Sequence, residues 1–407
     1  MEDEVFNVNE AVIFDDRLTK FEIHSYQSFI SGPYALPSEV RIAVQQQDIY
    51  TLPSRSFLRI RGKLLKADGG VVATTQIRRN GILHLFDRIT YLFNGVELDQ
   101  TRDVGVTTSM KNYVSLSPNE LATAKMSGWG ISNDYHINIH ANGFFEVCIP
   151  LSMLLGFAED YKRLVINARQ ELVLLLTNSH LNAIVAAAVN PEHVVLTLMN
   201  IEWLVPHIQV STAQRIKLLR HVEHNETVNI AFRSWSLETY PGLPAGRHVT
   251  WNVKSSLAME KPRFIIIGLQ NSRQNALGMD CSRFDACNIR NVKVYLNSES
   301  YPYVDIDANF DDGRYMLAYH MYAQFQRAYY GKEAAPTLGP VEFANIAPLI
   351  VFDVSKQDER IKTNIVDCRI EITTHENIPA DTYAFCLLIH DRMVTYKCRD
   401  GIVKVIT

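Results

Sequence analysis

Short stretches in which apolar and polar residues alternate dominate the chain. In Leu58-Arg59-Ile60-Arg61-Gly62-Lys63-Leu64, Leu58, Ile60 and Leu64 share one side, and Arg59, Arg61 and Lys63 the other. A period of two marks a half-buried strand. The same texture predicts strands at 20–29, 39–50, 82–93, 143–150, 166–177 and 193–205. It resumes at 227–239, 248–255, 263–269, 289–296, 347–354, 365–374 and 382–398. Turn-forming residues separate the runs, as at Asp68-Gly69-Gly70, Asn94-Gly95, Pro241-Gly242 and Asp312-Gly313. Helical spacing is rare. Tyr315, Tyr319, Tyr322, Phe325 and Tyr329 recur at three- and four-residue steps, which predicts a helix over 313–330 closed by Gly331. A weaker helix is predicted over 211–223 and a short turn at Leu151–Phe157. Many strands with long connections indicate sandwiches or jelly rolls. The expected fold class is all-β, with a few short helices in the loops.

The strands also repeat. Ser25-Tyr26 followed by Pro33 resembles Ser234-Trp235 followed by Pro241. Leu58-Arg59-Ile60 resembles Phe264-Ile265-Ile266. Ile89, Tyr91, Phe93 and Asn94 match Val292, Val294, Leu296 and Asn297, in phase and ending on a turn-forming Asn. Phe145–Ile149 answers Leu349–Asp353, and Arg169–Leu172 answers Val366–Ile370. The order is kept at a spacing near 200 residues, which points to a tandem duplication. The expected organisation is an N-terminal arm at 1–20, a first jelly roll at 21–210 and a second at 211–407. Because the helix at 313–330 has no counterpart in the first half's pattern, the halves are expected to differ there.

Composition narrows the class. A half-chain of about 200 residues can bury roughly 70% of its unfolded surface, enough for its own core. Charged residues make up 21% of the 407, and the net charge is −4. A strong non-specific nucleic-acid binder would show a basic footprint, and Met1-Glu2-Asp3-Glu4 is acidic. Cys148, Cys281, Cys287, Cys368, Cys386 and Cys398 are too sparse for a disulfide framework and are expected to be reduced core residues. No secretory leader or apolar run of membrane-spanning length is read. The sequon Asn225-Glu226-Thr227 then has no secretory context.

Candidate chemistry is thin. Asp305-Ile306-Asp307-Ala308-Asn309-Phe310-Asp311-Asp312-Gly313 offers oxygen ligands at alternate positions, but an EF-hand needs Gly and Glu where Phe310 and Met316 stand. An acidic turn opening the next helix is expected instead. His221, Glu223, His224 and Glu226 lack the spacing of a zinc protease and read as a polar joint between the halves. Arg78-Arg79 beside His84, and Lys254, Lys261 and Arg263, are small basic clusters, expected to be solvated strand faces. The tyrosines of 315–330 are expected to pack helix on sheet or subunit on subunit. No nucleophile elbow, phosphate loop or dinucleotide fingerprint is present. The expectation is a non-enzyme with no catalytic residues, no cofactor and no metal.

Longer strings carry a resemblance. Gln45–Pro53, Leu92–Asp99, Lys111–Leu116, Leu154–Arg163, Phe232–Trp235 and Leu388–Arg392 resemble the major capsid proteins of Polinton/Maverick elements and adintoviruses, from about residue 20 to the C-terminus. The resemblance implies a double jelly roll and a homotrimeric, pseudo-hexagonal capsomer in an icosahedral virion shell. It also implies a penton protein, a packaging ATPase and a maturation protease as partners. Contact with packaged double-stranded DNA is expected to be weak, and synthesis intracellular. The rival reading is a two-domain β-sandwich binding protein, lectin-like or receptor-binding.

Overall fold

Alternation becomes pairing in a computed structural model that describes residues 17–44, 50–132, 135–187, 190–253, 262–297, 299–356 and 367–406. The longer strands of the first half are β1 (Leu18–Gln27), β2 (Glu39–Val44), β3 (Phe57–Lys66), β4 (Phe86–Phe93), β5 (Val96–Arg102), β6 (Phe144–Pro150), β7 (Gln170–Leu176) and β8 (Val194–Val210). Those of the second are β9 (Thr227–Tyr240), β10 (His248–Val253), β11 (Pro262–Asn271), β12 (Ile289–Leu296), β13 (Glu299–Tyr301), β14 (Ile350–Asp353), β15 (Cys368–Thr374) and β16 (Thr382–Lys397). One sheet of the first half runs β1-β8-β3-β6, with two short strands, Tyr50–Thr51 on β8 and Val165–Ile166 beside it, and the other runs β2-β7-β4-β5. The second half repeats this as β9-β16-β11-β14 and β10-β15-β12-β13. In each half the first strand pairs with the eighth, the second with the seventh, the third with the sixth and the fourth with the fifth. That is a jelly roll, made twice: a hairpin of hairpins folded so that two sheets cover each other.

The duplication holds at residue resolution. Leu58 lies opposite both Trp203 and Ile149, and Phe264 opposite both Ile389 and Asp353. Tyr91 faces Leu172 as Val294 faces Ile370. Asn94 and Asn297 both stand at positive φ. Each exchanges two hydrogen bonds with the residue before its seventh strand, Asn94 with Arg169 and Asn297 with Asp367. Every pair matched from sequence thus joins equivalent strands, although Val366 itself lies outside the described residues.

Some expectations fail. Residues 81–85 form a 3-10 turn, not strand, because the Asn80 side chain is tied to Gly105 O and Thr108 Oγ1. The polar run of β5 was not anticipated, nor were β13 and a last strand, β17 (Val403–Ile406), on β16. The helix over 313–330 begins later and is broken. Asn309 and Arg314 close a tight loop through mutual backbone hydrogen bonds, so helix starts at Met316 and its first turn holds no acid.

The helices are α1 (Val104–Ser115), α2 (Pro118–Ala124), α3 (Gly156–Asp160), α4 (Thr212–Glu223), α5 (Met316–Ala323), α6 (Phe325–Tyr330) and α7 (Pro340–Ile346). Gly331 caps α6 at φ 65° as expected; α4 falls where a helix is expected, and a 3-10 turn at Leu151–Met153 lies within the expected turn, with α3 beginning only at its end. The first half does carry a long helix of its own. Both α1 and the α5–α7 group occupy the connection after the fifth strand of their half, so the repeat extends to this insertion.

The two cores interlock. The first jelly roll closes around Trp203, Tyr91, Phe145 and Leu172, but also takes in Ile230, Phe232, Val394, Tyr396 and Cys398 from the second. The second core, around Phe264, Val294, Ile370 and Leu387, takes in Met110, Tyr113, Val114 and Trp129 from the first.

Candidate functional site at the seam between the lobes

Charged groups gather where α1, α3, β5, β9 and α6 meet. Asp160, at the end of α3, accepts hydrogen bonds from the Arg233 backbone N–H (2.8 Å), Nε (2.8 Å) and Nη2 (2.6 Å) on β9. The guanidinium lies 3.5 Å over the Tyr329 ring. Burial works against the Arg233 charge, but Asp160 together with Tyr329 and Glu159 outweighs it and holds the group above its ordinary value.

Beside it sits Lys111 of α1, its side chain 3% exposed. It donates to Glu159 (2.9 Å), Ser115 Oγ (2.8 Å) and Tyr330 Oη (3.1 Å). Its ammonium also faces the rings of Trp235 and Tyr329 at 4.8 and 4.6 Å. Tyr329 Oη donates to the same Glu159 at 2.7 Å, as does Tyr330 Oη. Burial lowers the Lys111 pKa, and Glu159 opposes that fall.

Deeper in, buried Asp99 of β5 accepts from Ser234 Oγ (2.6 Å), Phe157 N–H (2.9 Å) and Gln100 N–H (3.0 Å). Burial still pushes its carboxyl up to about 6. The carbonyls at the end of α1 have no intrahelical partner. They are met from the other lobe, where Tyr322 Oη donates to Tyr113 O (2.8 Å) and Gln326 Nε2 to Leu116 O (3.0 Å). A cleft of about 750 Å³ opens beside Lys111, Glu159, Asp160, Arg233 and Tyr330. The Asp160–Arg233 ion pair and the hydrogen bonds of Tyr322, Gln326, Tyr329 and Tyr330 cross between the lobes, so what the arrangement does is clamp one lobe to the other.

A profile of the double jelly roll-like domain matches residues 75–394. The chain belongs to that family. As a double jelly roll it superposes on the mavirus major capsid protein with a TM-score of 0.60 at 11% identity, over 98% of this chain and 92% of that one. A chain of the Sputnik virophage gives 0.61 at 8%, over 98% and 91%. The Faustovirus major capsid protein gives 0.58 at 10%, over 97% and 93%. No curated protein matches the chain in sequence.

In this double jelly roll the charged part of the seam comes from the strings that carried the resemblance, and the residues of α5 and α6 lie outside them. Asp99, Lys111, Glu159, Asp160, Arg233 and Ser234 all lie within them, and Arg392 reaches Glu97 O at 3.5 Å from another. Sequence reading singled out the strings but not these side chains. Their convergence in space was the signal.

The clusters read from sequence fall elsewhere or do something else. In the acidic run, Asp305 pairs with Lys293 (2.6 Å), Asp307 with Arg290 (3.1 Å) and Asp312 with Arg314 (3.3 Å). Side-chain cations therefore meet three of its four carboxylates. His221 pairs with Glu226, while His224 Nδ1 meets Arg220 O at 2.8 Å, closing α4. Among the described residues no group of three His, Cys, Asp or Glu is arranged to hold a metal.

Arg79 and His84 are not on a solvated face. Arg79 is 1% exposed, donates to Tyr113 Oη, Ile131 O and Ser132 O, and anchors α1. His84 is buried against Gly105, and that burial lowers its pKa to about 4. Arg263 pairs with Asp391; Lys254 and Lys261 lie outside the described residues. Tyr315, Tyr322, Phe325 and Tyr329 are buried, and Tyr322 and Tyr329 bind the other lobe. The six cysteines are free thiols. Among the described residues no helix is long and apolar enough to cross a membrane.

Proposed function

We propose that this chain is the major capsid protein of an icosahedral, DNA-containing shell of the Polinton/Maverick and adintovirus kind. The observation that carries the reading is the doubled fold itself: two equivalent sandwiches, each built on the same eight paired strands and joined by a shared seam. A rigid pair of lobes is a third of a hexagon, and three chains arranged head-to-tail close it. The likeness to capsid proteins of mavirus and Faustovirus over nearly the whole chain supports the same reading.

The proposed units are an arm at 1–20 and jelly rolls at 21–210 and 211–407. The trimer's partners are its lattice neighbours, a penton protein at the vertices and, through assembly, a packaging ATPase and a maturation protease. Contacts with packaged DNA are weak, the place of action is the virion, and no catalysis is assigned. No observation favours the lectin-like alternative.

Size-exclusion chromatography with light scattering tests the core of this. A mass about three times the 46.3 kDa of the chain is expected, with three-fold particles in negative stain. A protein that stays monomeric at micromolar concentration would overturn the proposal.

A further inference from the structure

The net charge of −4 is not spread evenly. Residues 1–16 contain Glu2, Asp3, Glu4, Glu10, Asp15 and Asp16 and neither Lys nor Arg, a charge of −6. The rest of the chain therefore carries +2, from 40 basic residues against the 44 acidic less these six. The same segment holds Val5, Phe6, Val8, Val12, Ile13 and Phe14.

Where this segment joins the body is fixed. The Ser211 N–H donates to Arg17 O at 3.0 Å, and Leu18 pairs with Val210. The chain thus enters the fold at the start of α4. That helix buries none of its residues, and Ile216 and Leu219 are 48% and 44% exposed. Arg215, Lys217 and Arg220 lie on it, and none is in an ion pair among the described residues. Arg215, Leu219 and Val222 form one wall of a cleft of about 700 Å³. Thr19, His24, His207 and Glu22, the last already paired with Lys20 at 2.6 Å, also line it, and Asn167 in the lining is tied to Cys398 O at 2.9 Å. The cleft thus touches both lobes.

A basic helix with exposed apolar side chains fits a partner that is acidic and apolar together. One begins a single residue from the rim. Sixteen residues can reach up to ~55 Å, and a short tether gives an effective concentration in the millimolar range. We propose that residues 1–16 dock in cis on α4 and the adjoining cleft. Their carboxylates meet Arg215, Lys217 and Arg220, and their apolar side chains cover Ile216 and Leu219. Docked there, the segment screens this basic face from other polyanions, nucleic acid first. The inference stands on its own, whether or not the chain forms a shell.

Zero-length carbodiimide coupling of the full chain tests the contact, with equal parts unlabelled and ¹⁵N-labelled protein to separate coupling within and between chains. Lys217 should be joined to a carboxylate of residues 1–16 of the same chain. The yield should fall roughly five-fold or more in 0.5 M salt, and likewise on Arg215→Glu with Arg220→Glu. Coupling that is mostly between chains, that bypasses Lys217, or that ignores the charge reversal overturns the proposal. Screening is read with a double-stranded DNA oligomer. A full-length variant carrying E2Q, D3N, E4Q, E10Q, D15N and D16N, shown by thermal melting to be folded, should bind it about ten-fold more tightly than wild type. Equal binding overturns the screening role.

Discussion

Gly156 has no room for a methyl group. A Cβ there would lie 1.8 Å from Arg233 O, so α3 rests directly on the backbone of β9. Gly156→Ala is expected to cost about 3 kcal/mol, the upper range for over-packing, measured by urea unfolding. At Gly246 the added carbon would meet nothing nearer than His248 O at 3.9 Å, and Gly246→Ala should stay within about 0.5 kcal/mol. Asp99 makes a second test. Its folded pKa of about 6 lies above the ordinary 3.8, so between those values the folded state binds more protons than the unfolded one. The contribution of Asp99 is fully present below about pH 4 and is lost as the pH rises through about 6. Asn does not titrate, so whatever the fixed cost of the substitution, Asp99→Asn should gain about 2–3 kcal/mol relative to wild type as the pH rises from 4 to 7. An unchanged difference between their unfolding curves would refute this. From sequence, Asn94 and Asn297 were legible because a turn asparagine after an alternating run has a local cause. Asp99 was not, because its environment comes from residues 157 and 234, far along the chain.

At the scale of elements, legibility followed solvent. Strands with one wet face, such as β3 and β10, announced themselves through alternation. α1 did not, because Val104–Val114 is buried on every side and leaves no polar face to set a helical period. Its Val, Thr, Ser and Gly residues are also poor helix formers, so tertiary contact makes this helix. Lys111 is the contact to test. Lys111→Met leaves Glu159 half-buried without its cation and should cost about 3–5 kcal/mol. Adding Glu159→Gln should return most of that loss. A double-mutant cycle by chemical denaturation checks the pair, and strictly additive costs would show that the two do not interact.

For the whole molecule, the doubled architecture was readable because a duplication leaves one spacing on every strand pair. The sharing of cores was not, since Met110 and Tyr113 look like any apolar residues until their neighbours are known. Sharing has a thermodynamic signature. The lobes are expected to melt together, with calorimetric and van 't Hoff enthalpies agreeing. Residues 211–407 alone would lose Met110, Tyr113, Val114 and Trp129 from their core. That fragment is expected to show the fluctuating tertiary packing and dye binding of a partly folded chain; a sharp independent melt would contradict it.

The same exchange sets a timetable for the ribosome. Domains usually fold in the order they emerge, the first while the next is still being made. Here the first jelly roll must wait for Val394, Tyr396 and Cys398, which complete its core from near the far end of the chain. Nearly the whole polypeptide has to be translated before either half can finish. Until then the apolar edge of the early half stays uncovered, within reach of chaperones and of other nascent copies. The interlock that joins the two lobes also makes their folding a single, late event.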